Sequence, residues 1–184
     1  MNILLHICCG PCAAYPLDFL RLRGGHEVTG WFHNPNIHPY KEFQRRVAAL
    51  EDFARQKDFR VDIDRRYGLR DFLRQTVFHE DRAERCGLCY EMRLLPAARR
   101  AAEQGFDAFT STLLYSKHQN HALLQRMGEA LAAQFGIRFF YHDFREGWQQ
   151  GIDASIAMNL YRQPYCGCIY SEQERYDKAC RPRR

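Results

Sequence analysis

The chain has 184 residues, 27% of them charged and 46% hydrophobic, which is long enough to bury a core as a single domain and too apolar for a disordered segment. Its apolar runs are a handful of residues long, far short of the roughly 18–20 that cross a bilayer, and "MNILLHICC" lacks the basic start of an export signal, so a cytoplasmic protein with no membrane partner is expected. Twenty-seven basic against 22 acidic residues leave a net charge of +5, part of it in the closing "RPRR", a balance that favours polyanions such as RNA without requiring them.

The first apolar run, "NILLHI" (2–7), has strand length, and "PCAAYPLDFLRLRGG" (11–25) reads as a helix closed by Gly24 and Gly25. "HEVTGWFHN" (26–34) predicts a second strand. "KEFQRRVAALEDFARQK" (41–57) places Phe43, Val47, Leu50 and Ala54 along one helical face, and "FRVDID" (59–64) predicts a third strand. Two helical stretches, 68–78 and 82–104, then form an insertion ended by Gly105, well placed for a left-handed cap. "FDAFTSTLL" (106–114) is the fourth predicted strand, 118–136 its helix, and "IRFFYHDF" (137–144) the fifth strand. A helix-like 151–160, a loop "YRQPYCGCIYS" (161–171) and a short C-terminal helix complete the chain.

Strands separated by helices imply right-handed crossovers and a mainly parallel sheet. The expected fold is therefore α/β: a Rossmann-like five-stranded sheet of the nucleotide-alpha-hydrolase kind with helices on both faces, a helical insertion and a cysteine-bearing C-terminal segment. With the common order 3-2-1-4-5 the sheet reverses between strands one and four, and ligands bind beyond the carboxyl ends of the strands at that reversal. "CCGPC" after strand one and "STLLYSKHQN" after strand four would both lie there.

Eight cysteines in a chain without an export signal point away from a disulfide framework and toward metal or redox chemistry. They fall into Cys8, Cys9 and Cys12; Cys86 and Cys89; Cys166 and Cys168; and Cys180 alone near the tail. Cys8 and Cys9 either end a strand as small buried hydrophobes or, with Cys12 and the tight turn that Gly10 allows, hold a ligand. Cys86 and Cys89, three apart on a helix, share a face and can grip one metal; a structural zinc half-site and a dithiol are the alternatives. The Cys166–Cys168 pair suits either a strained, easily reduced disulfide or two metal ligands. A structural zinc or a [4Fe–4S] cluster takes four ligands, so seven clustered thiols leave a surplus for reactivity.

The ordered set "LLHICCGPC", "RCGLCYEMRL", "TSTLLYSKHQN" and "YRQPYCGC" resembles the QueH-type epoxyqueuosine reductases, over residues 3 to about 171. The resemblance implies removal of the epoxide oxygen of epoxyqueuosine, at the anticodon wobble position of tRNA, to give queuosine. It implies a [4Fe–4S] cluster without cobalamin, and an external electron donor. By position it implies Cys8, Cys9, Cys86 and Cys89 as cluster ligands, and Cys166 and Cys168 as a redox-active disulfide or ligands of an adjacent mononuclear iron. Where this chain has Lys117 and His118, relatives more often carry a proline–aromatic pair.

Deoxygenating an epoxide to an alkene consumes two electrons and two protons and releases water, whereas a [4Fe–4S] centre normally cycles by one electron, so a partner centre is expected. An iron with an open position, ligated by Cys12 with Cys166 and Cys168, would act as a Lewis acid; a Cys166–Cys168 dithiol would deliver electrons instead. His33, His118 and Tyr115 are candidate proton donors, His6 is expected to be a satisfied core residue, and Tyr40, Tyr165 and Tyr170 are candidates for stacking on RNA bases. The rival reading is a non-catalytic, zinc-dependent RNA-binding module. An ATP-using enzyme of related fold is disfavoured, because "CCGPCA" stands where a Ser-Gly-Gly-x-Asp-Ser pyrophosphate loop is required.

Overall fold

The computed structural model describes residues 1–180; the "RPRR" end lies outside the described residues. Ile3, Leu4, Leu5 and His6 are each at most 1% exposed, as a strand covered on both faces must be. That strand, β1 (Asn2–His6), is the middle of a five-stranded sheet of order β3-β2-β1-β4-β5, completed by β2 (Glu27–Phe32), β3 (Val61–Ile63), β4 (Ala108–Ser111) and β5 (Arg138–Phe139). Every pairing is parallel, with Leu5 opposite Gly30 on one side and Thr110 on the other. The order matches the one expected from the sequence.

The helices are α1 (Gly10–Asp18), α2 (Tyr40–Gln56), α3 (Leu69–Thr76), α4 (Arg82–Glu103), α5 (His121–Phe135), α6 (Trp148–Ala157) and α7 (Ile169–Tyr176). α1 packs against α2 and α6, while α4 packs against α5, β1 and β4. Among the described residues, no helix is long and apolar enough to cross a membrane.

Three boundaries differ from the sequence reading. α1 runs into a π-helical turn, Phe19–Arg23, before the expected Gly24–Gly25 stop, where Gly25 takes φ +59. β4 ends at Ser111, whose side chain caps a 3-10 turn, Thr112–Tyr115, by accepting from the Leu113 N–H; an apolar run such as Leu113–Leu114 does not by itself separate strand from buried helical turn. With β4 so short, β5 pairs only through Arg138 and Phe139, and the rest of the expected fifth strand turns into a 3-10 segment capped by Asp143. Gly105 takes φ +71, the left-handed cap expected after α4.

Candidate active site

The carboxyl ends of β1 and β4, neighbours at the reversal of the sheet, are tied together at Cys8. Its backbone N–H donates to Thr112 Oγ1 at 3.0 Å, and that hydroxyl donates to Cys8 Sγ at 3.2 Å. Cys9 is the N-cap of α1, its sulfur accepting from the Cys12 N–H at 3.4 Å. A helix start needs such an acceptor for its free N–H groups, and Pro11 within the first turn has none to satisfy. The result is a three-sulfur group: Cys8, Cys9 and Cys12 have their sulfurs within 4.8 Å of one another.

The second thiol pair rides on α4. Cys89 is buried and Cys86 partly so; Arg93, one turn further, donates from Nε to the Cys89 carbonyl at 2.9 Å and from Nη2 to Cys89 Sγ at 3.2 Å. The third pair comes from the irregular segment before α7. Cys168 caps that helix through the Ser171 N–H, and Cys168 packs with Cys89 and Phe72 in an apolar cluster separate from the main core. Cys166 is exposed, with the Gln119 amide 3.4 Å from its sulfur.

One cavity of about 960 Å³ joins these parts; Cys8, Cys12, Cys86, Cys89, Cys166 and Cys168 all line it. Cys9 is buried and not among the lining residues, and Gln163 reaches across from the irregular segment to donate to Cys9 Sγ at 2.9 Å and Cys12 Sγ at 3.3 Å. Cys12 thus stands in one tight group with Cys8 and Cys9, whereas the sequence reading pairs it with Cys166 and Cys168. Cys180 lies at the surface near Asp177, away from the cavity lining. None of the eight cysteines is in a disulfide.

Of Cys8, Cys9, Cys12, Cys86 and Cys89, only Cys8 is biased toward its thiolate in the metal-free protein. The Cys8 thiol is held well below the usual range by contacts with the Cys12 and Cys9 thiols, helped by Thr112 and the Arg93 charge. Burial raises Cys9, and hydrogen bonding to Cys8 and Cys9 raises Cys12, so the first negative charge of the group settles on Cys8. Burial also raises Cys86, and it pushes Cys89 up to about 12. Arg93 is 2% exposed and has no carboxylate partner among the described residues. An uncompensated buried cation is costly, and the neighbouring groups able to offset this one are the sulfurs of Cys89, Cys166 and Cys8. Free thiols around a buried cation that lacks a carboxylate partner among the described residues fit a thiolate-ligated iron–sulfur centre, which carries net negative charge.

The other sequence candidates separate. His6 is fully buried between Ser111 Oγ at 2.9 Å and the His33 carbonyl at 3.1 Å, and burial lowers it to about 3, so it is a neutral core residue. His33 is hydrogen-bonded to Asp64 at 2.9 Å and stacked on Trp31, outside the cavity lining. His118 and Tyr115 do line the cavity, but Tyr115 donates its hydroxyl to the Trp148 carbonyl at 2.8 Å. Of the tyrosines proposed for stacking, only Tyr165 lines the cavity; Tyr40 packs edge-on against Tyr67, and Tyr170 sits under Arg85 and beside Phe72. Arg93, Arg46, Thr112 and Gln163 were not singled out from the sequence. Arg93 follows Cys89 by one helical turn, and Arg46 interrupts the apolar face of α2, which are the signals that could have marked them.

The epoxyqueuosine reductase QueH family model matches residues 3–174. The chain is 36% identical over 181 residues to epoxyqueuosine reductase QueH of Dehalococcoides mccartyi, covering 98% of each chain. It is 31% identical to the protein of that name from Streptococcus pyogenes, over 92% of this chain and 70% of the relative. With the Thermotoga maritima protein the identity is 30%, over 96% and 93% respectively. With its motifs gathered at one cavity and the match spanning nearly its whole length, the chain belongs to the epoxyqueuosine reductase QueH family, a family of oxidoreductases.

Proposed function

We propose that this protein acts in the cytoplasm as a single-domain enzyme that reduces epoxyqueuosine in tRNA to queuosine. The epoxide oxygen leaves as water after two electrons and two protons are taken up, the electrons coming from an external donor. Cys8, Cys9, Cys86 and Cys89 would hold a [4Fe–4S] cluster. Cys166 and Cys168 would serve either as a redox-active dithiol or, with Cys12, as ligands of a second iron. When bound, the cluster supplies electrons singly, and an adjacent iron with an open position would add Lewis acidity.

The observation that carries this reading is the convergence of six cysteines, from three distant parts of the chain, on one cavity. Its volume of about 960 Å³ is at the upper end for small-molecule sites, enough for one modified base turned out of a single-stranded loop. Five arginines line it, Arg82, Arg85, Arg93, Arg162 and Arg175, against one carboxylate, Glu174. A chain whose net charge is only +5 thus concentrates positive potential where an RNA loop would enter. Trp148, stacked on Tyr115 with the Lys117 ammonium 5.3 Å from its ring centre, sits at the same opening beside His118. His118 is the better placed proton donor, its ring being free of the commitment that binds Tyr115.

Anaerobic purification with iron and sulfide analysis, paired with Cys166→Ser assayed on epoxyqueuosine-containing tRNA, tests the proposal. The parent should be brown with about four or more irons per chain, and the variant should form no queuosine. Full activity in the variant removes the Cys166–Cys168 pair from the reaction. A colourless protein with stoichiometric zinc replaces the whole reading by a zinc-dependent RNA-binding module, for which the three-sulfur group would also serve.

A further inference from the structure

The segment 161–168 carries two of the cavity's cysteines yet contains neither helix nor strand. Its backbone must therefore find partners outside regular structure. They come from α2. Arg46, 2% exposed, directs Nη1 to the Cys166 carbonyl at 2.8 Å and Nη2 to the Tyr165 carbonyl at 3.0 Å, while Nε bonds Glu42 Oε1 at 2.8 Å. The other Glu42 oxygen accepts from Tyr161 OH at 2.6 Å. One i,i+4 ion pair thus grips the segment at its start and at the cysteine itself.

We propose that Arg46 is the positioning residue of the Cys166–Cys168 pair, its planar fork fixing where the Cys166 sulfur stands in the cavity. A guanidinium offers rigidly spaced donors that can hold successive carbonyls, which a lysine ammonium on its flexible stem cannot. Gly167 shows how closely the fit is made: it takes φ +155, and a Cβ there would lie 3.1 Å from Asn36 Nδ2 and 3.3 Å from Arg46 Nη1. The His38 N–H donates to the Gly167 carbonyl at 2.8 Å, and Tyr165 OH donates to the His38 carbonyl at 2.6 Å, closing the far side of the loop. A buried ion pair is a poor source of net stability, so this one is better explained by the geometry it imposes.

The catalytic meaning of this assignment rests on the function proposed above, but its test does not. The metal-free, reduced full-length chain is compared with Arg46→Lys, which keeps the charge and loses the fork, and with Glu42→Gln, which keeps an acceptor for Nε and loses the charge. Three quantities are read: amide exchange by segment, iodoacetamide alkylation of Cys166 relative to exposed Cys180, and the Cys166–Cys168 dithiol–disulfide midpoint in a glutathione buffer. Arg46→Lys should speed exchange in 161–168 about tenfold, equivalent to losing one charge-assisted hydrogen bond. It should also change the alkylation ratio and shift the midpoint, with β1 and α4 unchanged. Glu42→Gln should produce a smaller effect in the same segment. Parent-like values for 161–168 in the lysine variant overturn the proposal, as does acceleration spread evenly over the chain; if that variant does not fold, parent-like values in Glu42→Gln overturn it.

Discussion

The two walls of the cavity bring sulfur to the same space by different means. On one wall, Cys8 and Cys9 sit at a strand-to-helix turn and Cys86 and Cys89 on successive turns of a 22-residue helix, so backbone hydrogen bonds of regular elements fix the sulfurs. On the other wall, Cys168 caps α7 but Cys166 hangs on a segment without a ladder of its own, held through Arg46, His38 and Tyr165 at single points. A wall made of repeating bonds tolerates the loss of any one of them. A wall made of a few side-chain pins does not, and its pins are separable from the fold.

The largest expected effect divides the walls by iron content. Cys86→Ser or Cys89→Ser should lose the cluster iron and more than about 100-fold in activity, exceeding the usual cost of disturbing a ligand's support. Cys166→Ser should lose activity comparably while keeping about four irons. Equal iron in all three variants would mean that the walls do not divide the metal as proposed. Arg93→Met sharpens the same contrast from within the regular wall. Removing a buried cation that has no carboxylate partner should leave the metal-free protein as stable or up to about 1–4 kcal/mol more stable, yet lower iron retention by about 10–100-fold. Urea unfolding of the metal-free form and iron analysis after gel filtration read the two effects, and loss of stability without loss of iron would contradict the assigned role.

Acid should reach the pinned wall through His38. Its ring is 1% exposed, packed on Phe72, and burial lowers it to about 4 despite the bond to the Pro35 carbonyl at 3.1 Å. Between pH 6.5 and about 4 the unfolded chain binds a proton at this histidine and the folded chain does not. Stability therefore falls as pH falls through that window, by about 1.4 kcal/mol per unit and about 3 kcal/mol in all, and this group contributes no dependence above it. His38→Gln, which can still donate to Pro35, should flatten the slope of urea-unfolding free energy between pH 6.5 and 4.5 by that amount. An unchanged slope would mean that His38 is accessible to protons in the native state.

The regular wall was legible in the sequence. "NILLHI" followed by a cysteine–glycine turn, and two cysteines three apart before an apolar-periodic helix, specify positions through a strand-length apolar run and a period of 3.6. The sheet order is the common one for alternating strands and helices, which the sequence reading assumed. Edges were less legible: Ser111 ends β4 by capping a turn, which shortens β5 in consequence, and an apolar run carries no mark of where that happens. The pinned wall was legible only as a list of cysteines. Its geometry depends on Arg46 meeting carbonyls 119 and 120 residues away, and pairings of that range leave no period in a sequence. The bonds from Gln163 to Cys9 and Cys12 were hidden likewise, since they join residues 154 and 151 apart.

The smallest expected effect tests whether the comparison extends to RNA. Arg82 opens α4 on the regular wall and Arg162 stands on the pinned one; both are exposed at the cavity opening. An exposed arginine acts on phosphate through solvent-screened charge, so its contribution depends on where it stands and little on how rigidly its wall is built. Arg82→Gln and Arg162→Gln should therefore weaken binding of an anticodon stem-loop alike, each lowering the slope of log Kd against log salt by about 0.7, with the double variant losing about twice that. Fluorescence titration across a salt series measures the slopes. Loss confined to one variant would lay the RNA along one wall only, and parent-like slopes in both would take the loop away from this opening altogether.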